Sequence, residues 1–528
     1  MKKLVKKIDF LIVFIVFVYI SVLLLYKDAL LCNTDNVYLL NRAEQMLHCI
    51  KDGNIPFFYY DDFKGVGYGS SFFYGQLTLY PFLPLLMLGK LHFMYGYIFV
   101  SLIISIVGVK EFVNRFCTND RFVSNLYLLS ISFFMLFVYT QLYACIMGQA
   151  LGFLFLAYVI DFLRDKKSFI PSGFLFFLVI NTHLLTAFVV FLIACYIGVL
   201  YFDKKRLKEY LLYFVYVLSL CLYFLCNYYY HSDALNEIQK ISRFSLGSGK
   251  IESQFGYTIP IGLLESYIVT KRLNCNTYFD VATFIVILFL LIKNRKSLSI
   301  KEKITICICV GLLILGQVYL WHWFNMNIFT LPFQFSLRYV PFILVYLYCV
   351  SFQYADSNVQ TFLKSYCLFL IIILYIFYML SDRLVVPEYD NIDKYVGNGE
   401  YVSKDFNYTP EEIENITVKD NTKIYKYKEN KGIIIADIDT KGTKLVTVPK
   451  LYYKGYRVLF NGKELKILSK ITNFIQVEVK GSGKLEVYYE HPFWLRLLDL
   501  WCLTESFLIL FYYLKRLLKC NKKSIKKL

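Results

Sequence analysis

Residues 72–88 read FFYGQLTLYPFLPLLML, and residues 93–109 read FMYGYIFVSLIISIVGV, with Lys110 directly after. Both runs are apolar enough to suggest membrane helices, yet only one of them can cross. Lys110 opens a basic stretch that reaches Arg121, and short basic loops stay on the cytoplasmic side of a membrane. The same holds for the clusters at 2–7, 164–167, 203–208 and 293–303, and for the tail over 515–527. Two crossings in a row would put 110–121 outside, along with each later basic loop until the parity was corrected. The first run carries Gly75, Gln76, Pro81 and Pro84, and proline removes a helix hydrogen bond and clashes with the preceding turn. The first run therefore reads as an interfacial or re-entrant segment, and the second as a crossing helix.

Working outward, the same rule orders the whole chain. The 528 residues are 57% hydrophobic with a mean hydropathy of +0.50, above the usual apolar share of a soluble domain. About twelve crossings are expected, near 10–26, 93–109, 122–138, 148–162, 169–181, 184–202, 210–227, 278–293, 303–320, 339–352, 361–380 and 494–514. The basic start before Asp9 resembles a signal peptide, but its apolar run is too long and no small-residue cleavage site follows, so it reads as a retained helix. The fold class is thus a polytopic α-helical membrane protein of the cell membrane with both termini in the cytoplasm. Its transmembrane core covers 1–380, with a first outer loop and interfacial helices at 27–92. An extracytoplasmic β-rich domain covers 381–493. A last helix and basic tail cover 494–528.

The net charge of +18 comes from lysines in short loops, where they orient helices, and nucleic acid is not an expected partner. The 14 cysteines form no Cys-x-x-Cys pair and read as small apolar residues; Cys32, Cys49 and Cys275 fall in outer loops. In the β-rich domain, strands are expected at 444–448, 456–460, 475–480 and 484–489. Asn461-Gly462 is a two-residue hairpin signal, and Gly481-Ser-Gly483 reads as a second turn.

This topology brings several polar residues to the outer face. Asp35, in Leu31-Cys-Asn-Thr-Asp35-Asn, follows the first helix. Gly148 and Gln149 start the fourth. Asn181-Thr-His183 forms the turn of a helical hairpin, and Gln334-Phe-Ser-Leu-Arg338-Tyr339 leads into the tenth helix. A carboxylate at the membrane surface can act as a general base on an acceptor hydroxyl or hold a divalent cation. An arginine can neutralise a phosphate. The aromatic run Phe57, Phe58, Tyr59, Tyr60, Phe63, Tyr68, Phe72, Phe73 and Tyr74 can stack on sugar faces and seat at the interface. Each residue also has a plainer reading. Asp35 can be a helix-end cap or a solvated acid, His183 and Gln149 structural, and Arg338 a lipid-phosphate anchor. Asp61 and Asp62 read as a solvated loop, or with Asp35 as metal ligands. Glu265 is a spare outer carboxylate.

Several of these stretches resemble a known family. They are Asp35 to Arg42, Gly53-Asn-Ile-Pro56, Gly65-Val-Gly-Tyr-Gly69 with Phe73-Tyr74 and Tyr80-Pro81, His183-Leu-Leu, Gln334-Phe335 with Arg338-Tyr339, Gly399-Glu400-Tyr401, and Tyr453-Lys-Gly455-Tyr456 with Asn461-Gly462-Lys463. Together they are similar to the bacterial YfhO-like membrane proteins and to the group named for a 6-pyruvoyl-tetrahydropterin synthase-related membrane domain, both GT-C-like. Two departures stand out. Gln149 occupies a position where the family often carries an acid, and Ser336-Leu337 replaces a Pro-Trp pair.

The resemblance implies a GT-C-like glycosyltransferase that moves a sugar from a polyprenyl-phosphate donor to an envelope glycan, lipid or protein. It implies Asp35 as the catalytic acid. It leaves His183, Gln149, Gln334, Arg338, Tyr68 and Tyr74 as candidates for binding the donor or substrate. A divalent metal is one candidate cofactor. Expected partners are the lipid-linked donor, membrane lipids, the acceptor and a donor-synthesising membrane protein. Two alternatives remain at this point: a transporter or flippase of lipid-linked saccharides, and a non-catalytic envelope scaffold. A transporter would carry ionisable residues at mid-membrane and paired broken helices, and the sequence shows no internal repeat.

The orientation has a direct check. Thr118→Cys, in a chain otherwise stripped of cysteine, is expected to react with an impermeant maleimide only after the membrane is opened. Labelling of intact cells would reverse the topology.

Overall fold

The computed structural model describes residues 34–60, 62, 65–115, 143–165, 168–237, 258–259, 279–315, 339–353, 355–359, 361–362, 365, 417–418 and 423–525. Its principal helices are α1 (Thr34–Lys51), α2 (Ser70–Phe73), α3 (Leu83–Leu88), α4 (Lys90–Val113), α5 (Tyr143–Asp165), α6 (Phe169–Ile180), α7 (Leu184–Leu200), α8 (Leu207–Tyr230), α9 (Ser232–Glu237), α10 (Val281–Lys293), α11 (Ile300–Leu315), α12 (Val340–Phe352) and α13 (Phe493–Ile525). Among the described residues, three helices are long and apolar enough to cross a membrane: Lys90–Val113, Ala144–Asp165 and Lys204–Tyr230. The expected crossings at 10–26 and 122–138, and nearly all of 361–380, lie outside the described residues. The 72–88 run forms no long helix. It breaks into the end of α2, a 3₁₀ turn at Tyr80–Phe82 with Pro81 in its first turn, and the six-residue α3.

The chain forms two compact units, each drawn from separate stretches of sequence. The first takes residues 1–36, 87–215 and 243–387, and the second takes 37–86, 216–242 and 388–528.

In the first unit α5 is the central helix. Its span is 83% buried, as expected of a helix that is apolar on every side. It packs against α4, α6 and α7, while α10 and α11 pack on α12. Three residues separate α5 from α6 and three separate α6 from α7 in sequence, and these helices pack on one another. One end of this bundle is held by cations. Arg115 binds Asp161 (Nε–Oδ1 3.1 Å) and Glu111, at the ends of α4 and α5. Arg164 donates to the Arg115 carbonyl at 2.7 Å and lies 4.8 Å from the Tyr201 ring centroid. Arg206 donates to the Phe162 carbonyl at 2.7 Å, and Lys301 to the Leu200 carbonyl. These side chains satisfy carbonyls that a helix C-terminus leaves unpaired, and cations are favoured there by the helix dipole.

Two short parallel strands, β1 (Thr258–Ile259) and β2 (Phe279–Asp280), lie in the first unit. The second unit is built on β3 (Thr417–Val418), β4 (Lys423–Asn430), β5 (Ile433–Leu451), β6 (Tyr456–Phe460), β7 (Lys463–Glu464) and β8 (Phe474–Tyr489). They form a six-stranded sheet of order β3-β5-β8-β6-β7, with β4 also pairing β5. Asn461 and Gly462 take φ of 50° and 76° between β6 and β7, the positive values that a two-residue hairpin turn of this kind needs. The second expected turn is a correction. Gly481-Ser-Gly483 continues β8, which pairs with β5 through Thr440↔Gly481. The register shifts there, and the Thr440 hydroxyl accepts from Gly481 N–H at 2.8 Å, so the ribbon is irregular without reversing. At Gly483 the Asn461 side chain fills the place that a Cβ would take.

The aromatic run over 57–74 is also a correction. Phe58, Tyr59, Tyr60, Tyr68, Phe72 and Phe73 are buried instead of forming an open stacking surface. A small sheet cannot cover its own apolar face, and these rings cover it. Phe58 packs against Tyr453 (5.6 Å), Tyr456 (5.7 Å) and Tyr489 (4.9 Å between centroids). A Cβ at Gly69 would lie 2.5 Å from the Tyr453 ring, so a larger residue there would push the segment off. Val66 O accepts from Leu451 N–H at 2.9 Å, extending the sheet edge into the loop.

Lys450 fastens this seating. Its side chain is fully buried (0% exposed) and bonded to the Glu429 carboxylate, the Tyr60 carbonyl (2.9 Å) and the Gly65 carbonyl. Replacing it with methionine orphans two carbonyls and a carboxylate. Lys450→Met is expected to cost about 2–4 kcal/mol and to lower the thermal midpoint. Glu429→Gln should cost less, because that side chain is 29% exposed and can rehydrate. The reverse order in a melting experiment would refute the clamp.

Candidate functional site

His183 and the start of α12 both come onto α5 towards the bundle end opposite its cations. The cause is a pair of glycines on α5. Gly148 and Gly152 stand four residues apart on one helix face, a spacing that lets helices approach closely. A Cβ at Gly148 would lie 3.2 Å from His183 Cβ, and one at Gly152 would lie 2.8 Å from Val190 and 3.0 Å from Phe342. The start of α7 and the start of α12 therefore both press on the same stretch of α5. Phe153 adds to the contact, 4.5 Å from the Phe342 ring.

His183 caps α7. Its backbone is extended (φ −153°, ψ 103°) and its ring accepts from Thr186 N–H at Nδ1, 3.2 Å away. The Thr186 hydroxyl lies 2.8 Å from the same nitrogen and 3.6 Å from the Cys145 sulfur. A ring nitrogen that accepts from a backbone N–H carries no proton, which assigns the neutral tautomer with hydrogen on Nε2. His183 can therefore donate a hydrogen bond from Nε2 to an oxyanion. Gln149, one residue after Gly148, is fully buried. Asn181 is also buried and donates to the Phe177 carbonyl at 2.9 Å, closing α6.

Asp35 falls in the first turn of α1, where a negative charge is favoured by the helix dipole. The Asp35 side chain, Gln334, Arg338 and Asp61 lie outside the described residues. The α12 helix begins at Val340, just after Arg338 in sequence.

Tyr68, Tyr74 and Asp62 belong to the second unit. Tyr68 is buried and its N–H pairs with the Tyr59 carbonyl at 3.1 Å. Tyr74 packs beside Arg42, whose guanidinium lies 5.2 Å from its ring and donates to the Gly75 carbonyl at 2.9 Å. Asp62 corrects the solvated-loop reading: it is 1% exposed and accepts from Asn41 Nδ2 at 2.9 Å. Among the described residues, no three His, Cys, Asp or Glu side chains gather as a metal ion would require. Burial pushes the Tyr59 and Tyr453 hydroxyls well above their usual range, so neither is a base at neutral pH.

Sequence reasoning missed the glycine pair, Thr186, Arg42 and Lys450. The Gly148-to-Gly152 spacing was legible; the burial of Arg42 and Lys450 was not. Cys49 is buried, with its sulfur 3.7 Å from the Phe58 carbonyl.

His183→Ala removes the α7 cap and is expected to destabilise by about 1 kcal/mol, while His183→Asn should keep most of it. If both variants melt like wild type, the cap contributes nothing.

In comparisons with known proteins, the chain matches no family model, no curated protein and no solved structure.

Proposed function

We propose that the chain is a GT-C-like glycosyltransferase of the cell membrane, moving a sugar from a polyprenyl-phosphate donor to an envelope acceptor at the outer face. In this reading about twelve helices cross the bilayer. The termini and the cation-capped bundle end are cytoplasmic, and the β-sheet is extracytoplasmic.

The observation that carries the reading is the close approach of His183 to Gly148, next to the buried Gln149, towards the bundle end away from the cations. There α12, which follows Gln334 and Arg338 in sequence, packs on Gly152. Orientation by positive charge puts that end outside. Exposed apolar side chains along α13, among them Leu500, Leu503, Phe507, Leu510 and Phe511, are what a lipid-facing helix carries and support a crossing over 494–514.

The proposed roles follow from the chemistry of each group. Asp35 takes the proton from the acceptor hydroxyl. Arg338 holds the donor phosphate through its planar fork of N–H groups. His183 donates from Nε2 to a donor oxygen. Gln149, a buried amide where the resembled family often has an acid, orients and does not ionise. The whole proton-accepting role then rests on Asp35.

The test is Asp35→Asn, with the variant's membrane level matched to wild type. Envelope glycans are compared by mass spectrometry among wild type, variant and deletion strains. The variant is expected to reproduce the deletion profile. A wild-type profile from the variant, where deletion changes it, would remove Asp35 from catalysis.

A further inference from the structure

The second unit buries a group of titratable side chains that the proposed reaction does not use. His231, directly after α8, is 1% exposed, and among the described residues neither ring nitrogen has a hydrogen-bond partner. Its ring lies flat on Phe72, with centroids 3.5 Å apart and planes 10° apart. Phe72 is one of the rings by which the first-loop segment covers the sheet, packing on Phe58 and Tyr453 as well. Beside this stack, His491 lies flat on Phe57 of the same segment at 4.2 Å. Its Nε2 is 3.3 Å from the buried carboxylate of Asp499 on α13. The two histidines thus each hold a phenylalanine of the loop segment.

The charges that face His231 decide how the arrangement responds to acid. From the sheet side these are Lys454 and His491, both of which oppose a positive charge on it. The carboxylate of Asp233, two residues along the chain, is taken by Lys454. Asp499 lies beside His491, 3.3 Å from its Nε2. From the loop segment comes Phe72, which has no charge. Protonated His231 would be a cation with two donors and, among the described residues, no acceptor for either. Burial is the largest cause holding its pKa down, to about 2. The sign follows. A histidine whose folded pKa lies below its unfolded value of 6.5 loses stability as pH falls below 6.5.

We propose that mild acid releases the aromatic segment around Phe72 from the β-sheet, with protonation of His231 as the driving event. This does not rest on the glycosyltransferase reading, since it concerns how the segment is seated and not what the chain transfers.

The experiment is amide hydrogen exchange on the full chain in lipid nanodiscs, corrected for intrinsic rates, read over residues 57–74 between pH 7.5 and 5.0. Wild type is expected to lose protection about tenfold for each pH unit below about 6.5. His231→Phe keeps the stack on Phe72 and removes an unpartnered polar group, so it should accumulate normally and lose that pH dependence. Equal protection of wild type at pH 7.5 and 5.0 would overturn the proposal. So would an unchanged acid slope in His231→Phe, including one that disappears only in His491→Gln. A measurement without any variant stands beside these. Exchange of the His231 ring C2 hydrogen should show no midpoint near 6.5 while the segment is seated, and an ordinary midpoint there would also overturn the proposal.

Discussion

A lysine with no exposed surface is the constraint on which the second unit depends. Lys450 lies at the end of β5, yet two of its three partners are carbonyls of the first-loop segment nearly 400 residues earlier in sequence. An ammonium taken out of water is tolerated only where each of its protons finds an acceptor. Here the acceptors are Tyr60 O, Gly65 O and the Glu429 carboxylate. The interaction fixes register more than it adds stability. If the segment slid by one residue, the lysine would lose its carbonyls and Gly69 would no longer face Tyr453. The apolar contacts of Phe58 and Phe72 supply the larger share of the attraction, since burial of aromatic surface scales with area.

The first unit solves a different problem with different means. Its helices are apolar on most sides, so hydrophobic pattern alone does not choose their neighbours. Small residues and helix ends do. Gly148 and Gly152 let α7 and α12 reach the α5 backbone. At the other end, Arg115, Arg164, Arg206 and Lys301 occupy the carbonyls that the helices leave open. These basic residues thus have two uses: in the proposed topology they set orientation in a membrane, and they close helix ends. The second use explains why several are held within the structure and not simply solvated.

What the sequence made legible was local. The helices at 148–162, 169–181 and 184–202 could be read from apolar runs and the short polar breaks between them. Asn461-Gly462 could be read because positive φ at two successive residues is a local demand. Gly481-Ser-Gly483 was misread because only Gly481 takes positive φ, and its neighbours follow β5. The first half of β5 and all of β4 were missed, since Lys423 to Asn430 reads as a polar stretch. Its strand character comes from pairing with β5. The burial of Tyr68, Asp62 and Lys450 was out of reach for the same reason: each depends on a partner remote in sequence.

The burial of the aromatic segment bears on where recognition can occur. Rings that cover a sheet do not offer a face to a sugar, so Tyr68 and Phe72 cannot be the stacking platform that their composition suggests. In the proposed reaction, recognition then falls to polar groups with the right protonation. His183 cannot be a base at Nδ1, because that nitrogen already accepts from Thr186 N–H. The role the proposal gives it is donation from Nε2, which suits an oxyanion and leaves proton removal to another group. Gln149 cannot remove a proton at all. By elimination within this proposed site, the acid of α1 is left with the proton and the imidazole of α7 with the charge that develops on the donor. A single carboxylate is enough for that division, provided the acceptor hydroxyl comes within hydrogen-bond reach of it.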